Sequence, residues 1–313
     1  MPRQTAGGNI RVLDDHWIQL RDGRRLAARL WLPADAQRRP VPAILEYLPY
    51  RRRDGTAARD ETTYPVFCRA GYAGVRVDIA GSGDSDGHLD DEYTEDELTI
   101  GEEVIAWIAD QAWCSGAVGM IGISWGGFNA LQIAMRRPEA LKAIVTVCST
   151  VDRYADDIHY MGGCLLLDNF TWGAQMTAYS TRPPDPAVRE DWREVWMDRL
   201  ARLPFLAADW LRHARRDAYW KHGSVCEDWS AIDCPVLAIG GWADAYSSAP
   251  AELVAHLTAP TKALVGPWEH KYPHIARIDP AADFHGEVVR WFDRWLKGER
   301  NGAEGLPAYR AYI

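Results

Sequence analysis

Residues Met120 to Gly127, Met-Ile-Gly-Ile-Ser-Trp-Gly-Gly, restrict what this chain can become more than any other stretch. An apolar run leads in, and an amphipathic segment carrying Phe128, Leu131, Ile133, Ala134 and Met135 leads out. Gly-x-Ser-x-Gly lies at the corner, so the segment reads as a strand, a sharp turn and a helix. Gly122 and Gly126 stand where a Cβ would collide with neighbouring chain, and Ser124 would be held in strained backbone with its Oγ raised above a sheet. The N–H of Trp125 would then point at where an oxyanion forms. The pattern is short enough to arise by chance, and the strand before and helix after are what give it weight.

The rest of the chain alternates in the same way. Residues 16–33 read as a hairpin turning at Arg21-Asp22-Gly23, residues 41–48 as a strand ending at Pro49-Tyr50, and residues 72–79 as a strand running into a Gly-rich turn at 80–87. Three aspartates around that turn (Asp78, Asp84, Asp86) would repel phosphate, so it reads as a tight turn near the site and not as a nucleotide cradle. A helix over 95–112, strands over 118–123 and 141–147, strands over 235–240 and 262–265, and a helix over 284–296 complete the pattern. Strands alternating with helices predict a mainly parallel sheet covered on both faces. Residues 1–150 and 232–300 supply this core.

Between 151 and 231 the alternation stops. Asp185-Pro186 reads as a helix start, with Val188, Trp192, Val195, Trp196, Leu200 and Leu203 on one face, and a second helical stretch follows to about Trp220. The block predicts a helical cap over the strand ends. Its tryptophans could wall a pocket or pack helix on helix.

A net charge of -9 with no dominant basic cluster argues against nucleic acid or an anionic membrane as the main partner. Arg51-Arg52-Arg53 reads as a solvated loop. No apolar run is long enough to span a bilayer, and the first residues lack the apolar core of a secretion signal. The six cysteines show no zinc-type spacing and read as reduced, buried thiols, so a cytoplasmic protein is expected. Trp125, Trp242 and Trp268, each within two residues of a chemical candidate, suggest an aromatic-walled pocket and substrate contacts from Trp242 and Trp268.

A serine hydroxyl needs a general base, itself oriented by a carboxylate. Ser124, Asp244 and His270 occur in the order Ser, acid, His, and the last two each follow the carboxyl end of a predicted strand. Asp233 precedes its strand and would lie at the wrong end of the sheet. His274 is the rival base, and Asp244 and His270 taken singly could be a loop aspartate and an exposed loop histidine.

These features together resemble the cocaine esterase-like and X-Pro dipeptidyl-peptidase-like serine hydrolases, which have the α/β-hydrolase fold. The resemblance covers nearly the whole chain. It rests on Pro49-Tyr50, Asp78 to Gly87, Gln111-Ala112-Trp113, Gly122 to Gly127, Gly241-Trp242-Ala243-Asp244 and Gly266-Pro267-Trp268-Glu269-His270. It implies a Ser124–His270–Asp244 triad and an oxyanion hole from the Trp125 N–H and the Tyr50 hydroxyl. The residues alone leave Tyr50 open as a core tyrosine at a strand end. Ala80-Gly81 departs from the family's Arg-Gly at that turn. The family also carries a carboxyl-terminal jelly-roll domain, and residues 301–313 read as its first strand, which predicts a missing domain or an oligomer covering that edge.

The expected activity is cleavage of a small-molecule carboxylic ester or amide through an acyl-enzyme, with no metal or organic cofactor. An alternative is an X-Pro dipeptidyl-peptidase or α-amino acid ester hydrolase, with Asp152, Asp156 and Asp157 as candidates for holding a free amino group. A solvated acidic loop is the plainer account of those aspartates. A catalytically silent binding scaffold is the third reading.

Overall fold

The computed structural model describes residues 3–4 and 9–313. In chain order its strands are β1 (Arg3–Gln4), β2 (Ile10–Gln19), β3 (Arg25–Pro33), β4 (Val41–Leu48), β5 (Ala73–Asp78), β6 (Cys114–Ile123), β7 (Leu141–Val147), β8 (Tyr160–Met161), β9 (Cys164–Leu165), β10 (Val236–Gly241), β11 (Thr261–Gly266) and β12 (Tyr309–Ala311). Its helices are α1 (Ala57–Arg69), α2 (Glu95–Ala109), α3 (Trp125–Met135), α4 (Asp168–Ser180), α5 (Trp192–Ala201), α6 (Leu206–Arg212), α7 (Ala218–Lys221), α8 (Ala249–His256) and α9 (Phe284–Leu296). Among them no helix is long and apolar enough to cross a membrane.

One sheet organises the molecule, in the order β1-β2-β3-β5-β4-β6-β7-β10-β11-β12. The β1–β2, β2–β3 and β3–β5 pairs are antiparallel, and every pair from β5 to β12 is parallel. The sequence explains the division. Strands β5 and β10 are buried at every position, as expected of short apolar runs covered on both faces. The longer β2 mixes buried and half-buried residues and carries a bulge between Leu13 and His16. Helices α1 and α9 pack together on the sheet, as do α2 and α3, giving the helix-covered, mainly parallel sheet that the alternation predicts and the α/β-hydrolase arrangement that the resemblance implies.

Several elements differ from the sequence reading. Helix α1 is not legible because Pro65 interrupts its pattern and its buried side chains include Asp60 and Thr63. Helix α4 escapes for a similar reason, since it buries only Asn169, Gly173 and Met176 and has no regular apolar stripe. The helix expected from Asp185 begins later, at Trp192. Asp185 instead closes a turn by accepting from the Ala187 N–H at 2.8 Å, and the one buried residue of α5 is Arg199, not an apolar face. The final strand finds a partner in an earlier strand, with Ala263 opposite Tyr309 and Val265 opposite Ala311.

The Arg51–Arg53 loop is a second correction, because Arg51 and Arg52 are buried and not solvated. The Arg52 backbone N–H donates to Asp78 at 2.8 Å, and its guanidinium reaches Asp84 at 3.0 Å. The Gly-rich turn therefore supplies buried carboxylates, and these draw the arginines inward. From the segment between β7 and β10, Arg189 donates to the Asp84 carbonyl at 2.9 Å and Arg199 to the Gly83 carbonyl at 2.9 Å, fastening that segment to the same turn. All six cysteines are free thiols, but Cys164 is exposed and Cys226 half-buried, unlike the buried state expected of both.

Candidate active site

Ser124 occupies the corner between β6 and α3 with φ 56° and ψ -127°, a conformation that L-residues rarely adopt. The geometry is fixed from both sides. The Ser124 N–H donates to the Val147 carbonyl at 2.9 Å, while the Ser124 carbonyl accepts from Gly127 at 2.7 Å and Phe128 at 2.9 Å. A Cβ on Gly122 would strike the backbone of Gly126, so that position requires glycine, whereas one on Gly126 would meet only the end of the Leu48 side chain.

The turns after β10 and β11 are laced together. The Trp242 N–H donates to the Gly266 carbonyl at 2.8 Å and the Ala243 N–H to the Trp268 carbonyl at 3.1 Å. This brings Asp244 and His270, 26 residues apart, to 2.8 Å between Oδ1 and Nδ1. The Asp244 side chain is 2% exposed and that of His270 43%, so the ring opens to solvent while its carboxylate partner does not. Ser124, Asp244 and His270 all line one cavity of about 630 Å³.

Tyr50 lies on the wall of the same cavity, at the end of β4. Its hydroxyl accepts from the Trp125 N–H at 3.4 Å, and Ser124 lines the cavity beside it. Burial pushes its phenol above the ordinary range, so it stays protonated and can donate. The Trp125 side chain points away from the cavity, where its indole N–H donates at 2.6 Å to Glu97, a carboxylate that also accepts from Asn129 at 2.8 Å. Burial raises Glu97 to about 7 despite those bonds.

The aromatic wall takes one tryptophan of the 151–231 segment, Trp172, and otherwise uses other residues than the sequence suggests. Trp172 and Tyr179 of α4, with Tyr246 and Tyr272, line the cavity beside Tyr50. Trp242 and Trp268 do not. Trp242 is half exposed with its indole on the Tyr312 carbonyl at 2.8 Å, and Trp268 is buried with its indole on the Pro280 carbonyl at 2.8 Å. Trp172 was only one of many tryptophans in a segment without periodicity. The rest were hidden in loops or in helices with broken patterns, and proximity in sequence to Asp244 and His270 was the one available signal for Tyr246 and Tyr272.

Asp156 and Asp157 are not on the cavity wall either. Asp156 bonds to the Ser248 hydroxyl. Asp157 is buried behind Tyr246, whose hydroxyl donates to its Oδ1 at 3.1 Å, and its Oδ2 has no hydrogen-bond partner. Asp152 accepts from the Tyr154 and Ala155 N–H groups at 2.9 and 3.0 Å and shapes its own turn. The rival His274 stacks on Phe284 at 5.1 Å, with its pKa lowered to about 4 by burial, and Asp233 pairs with Arg137 at 3.5 Å outside the cavity. Among the described residues, Cys148, Asp244 and His270 bring three possible metal-donor atoms within 4.8 Å of one another. They suit a metal poorly, because burial keeps the Cys148 thiol protonated and the His270 Nδ1 is already engaged by Asp244.

Comparison with known proteins finds relatives in sequence and in fold. The cocaine esterase of Rhodococcus sp. is 29% identical over an alignment of 345 residues that covers 98% of this chain and 58% of the esterase. A CocE/NonD family hydrolase from Staphylococcus aureus superposes with a TM-score of 0.77 at 19% identity, covering 100% of this chain and 55% of that one. An α-amino acid ester hydrolase superposes with a TM-score of 0.71 at 20% identity, covering 100% of this chain and 58% of that one. At such identities the two structures speak to the fold alone, and this chain spans little more than half the length of all three. The family model of X-Pro dipeptidyl-peptidase (S15 family) matches residues 22–272, and the chain belongs to that family.

Proposed function

We propose that the protein is a serine hydrolase that cleaves a carboxylic ester or amide through an acyl-enzyme. The observation that carries this reading is the convergence on one cavity of a strained serine, a histidine held by a buried carboxylate, and a neutral tyrosine whose hydroxyl accepts from the Trp125 backbone N–H. Ser124 Oγ attacks the substrate carbonyl while His270 takes its proton on Nε2. Asp244, fixed on Nδ1, keeps the imidazole in the tautomer that leaves Nε2 free and stabilises the imidazolium that follows. The Trp125 N–H and the Tyr50 hydroxyl, now both turned to the substrate, bind the developing oxyanion. His270 returns the proton to the leaving group. Water then repeats the sequence to release the acid.

The test is labelling with a fluorophosphonate, which forms a covalent adduct with an activated serine. Labelling that maps to Ser124 and vanishes in Ser124→Ala supports the assignment. An alanine variant that still turns over substrate at the parent rate refutes it.

A second reading is recognition of a free α-amino group, as the names of an α-amino acid ester hydrolase and the X-Pro dipeptidyl-peptidase family suggest. The observation in its favour is the buried, unpartnered Oδ2 of Asp157, one residue from Ile158 on the cavity wall. Tyr246, which lines the cavity, bonds to that carboxylate, so recognition would require this contact to give way.

A further inference from the structure

The cavity that holds Ser124 has a corner formed by a guanidinium that the proposed acyl transfer does not use. Arg59, in the first turns of α1, lines it together with Tyr272. Its Nε donates to Asp60 at 2.9 Å, and its Nη2 donates to Asp60 at 2.6 Å and to Glu46. Nη1 has no hydrogen-bond partner among the described residues, yet it is not one of the fully buried unpartnered atoms, and the side chain keeps 15% of its surface exposed. Nη1 therefore keeps accessible surface on a residue that lines the cavity. Tyr272, whose hydroxyl is anchored to Glu46 at 2.8 Å, lies 5.2 Å from the guanidinium carbon and restrains its plane.

The charge behind Arg59 is already balanced. Arg76 Nε lies 3.6 Å from Glu46 and 3.7 Å from Asp60, so two carboxylates face two guanidiniums inside the fold. An arginine needed only to neutralise Glu46 could be wholly enclosed, as Arg76 is, with no side-chain exposure. Much of the rest of the wall is apolar or aromatic, including Ile123, Ile158 and Trp172. Asp244 is engaged by His270. The other carboxylate on the wall, Asp168, belongs to α4, and Lys271 adds a second cation next to His270. A mostly apolar cavity with one fixed, partly unsatisfied guanidinium is built to orient a ligand through an anionic group.

The geometry points to Arg59 as a specificity-determining residue that binds a carboxylate of the substrate, so that the preferred substrates are esters or amides bearing a carboxylate some bonds from the scissile carbonyl. This rests on the serine hydrolase reading of the same cavity. Arg59 takes no part in bond making. It fixes the end of the substrate remote from Ser124, by a charge-assisted contact that Lys would make less well than the forked guanidinium.

The experiment compares anionic substrates with neutral isosteres. One series is the mono-(4-nitrophenyl) esters of succinate, glutarate and adipate against 4-nitrophenyl esters of the matching monoacids. The other is 3-carboxyphenyl acetate against phenyl acetate. We expect kcat/KM to favour the anionic member of at least one series by about tenfold or more, mainly through KM, and that ratio to collapse in Arg59→Gln and recover partly in Arg59→Lys. No anionic preference in either series, or a ratio unchanged in Arg59→Gln, overturns the inference. Should Arg59→Gln fail to fold because Glu46 loses a partner, Ser124→Ala decides by calorimetry. Glutarate binding at least about tenfold tighter than glutaramide supports it, and equal binding overturns it. Fluorophosphonate labelling of Ser124 without any anionic preference sinks the Arg59 inference alone, whereas absence of both labelling and turnover sinks the hydrolase reading.

Discussion

The Tyr50 hydroxyl lies 3.4 Å from the Trp125 backbone N–H, joining the end of β4 to the first residue of α3 across 75 positions of sequence. Two hydrogen-bond donors are thereby set side by side at the mouth of the strained serine turn. Tyr50→Phe keeps the ring and its packing against Trp172 and Tyr179 but removes one donor. Steady-state kinetics should show turnover lower by about a hundredfold to a thousandfold with folding intact. An unchanged rate would return Tyr50 to a structural role.

Asp244→Asn leaves the shape of the site but lets His270 take the tautomer with its proton on Nε2, where it cannot accept one from Ser124. Turnover should fall by about ten-thousandfold near neutral pH. A loss of less than about tenfold would mean that another group orients His270.

Asp157 separates the two substrate readings. With Asp157→Asn, esters of free α-amino acids should lose kcat/KM relative to their N-acylated forms if its unpartnered oxygen receives the substrate ammonium. An equal effect on both substrate classes would leave Asp157 as the buried partner of Tyr246 and nothing more.

Stability should depend on pH through the carboxyl that supports Trp125. Burial raises Glu97 to about 7, so the folded protein holds a proton that the unfolded chain releases near pH 4 to 5. The stability so contributed is complete below the unfolded pKa and is lost as pH rises through the folded one. Asp78 and Asp157, each raised to about 6 by burial, act in the same direction. The melting temperature should therefore be lower at pH 8 than these groups allow at pH 5, and Glu97→Gln should flatten that decline. A slope identical in the variant would show that Glu97 does not titrate in the window.

Gly122→Ala and Gly305→Ala form a matched pair. The first drives a Cβ into the Gly126 backbone inside the serine turn, while the second meets nothing within 4 Å. Urea unfolding should show a loss of about 3 kcal/mol or more for the former and a change within about 0.5 kcal/mol for the latter. Equal midpoints would mean that the turn relaxes around a side chain.

The sequence by itself determined the parts of this protein that depend on local pattern. Apolar runs of strand length gave the parallel core strands, and Gly122 marked a corner where backbone must pass backbone. Asp244 and His270 were legible because each follows a strand, and parallel strands deliver their carboxyl ends to one edge of the sheet. The tertiary structure decided what depends on charge balance and distant neighbours. Arg51 and Arg52 looked like a solvated basic run until Asp78 and Asp84 drew them inside, since a buried carboxylate demands a countercharge that no periodicity records. Trp242 and Trp268 lay near the key residues in sequence but turned their indoles to the Tyr312 and Pro280 carbonyls, leaving the wall to Trp172 and Tyr179 from a helix without an apolar stripe. Arg59 gave no signal at all, because Glu46 and Arg76 reach its helix from β4 and β5, and only their packing with Asp60 leaves its Nη1 without a partner at the cavity.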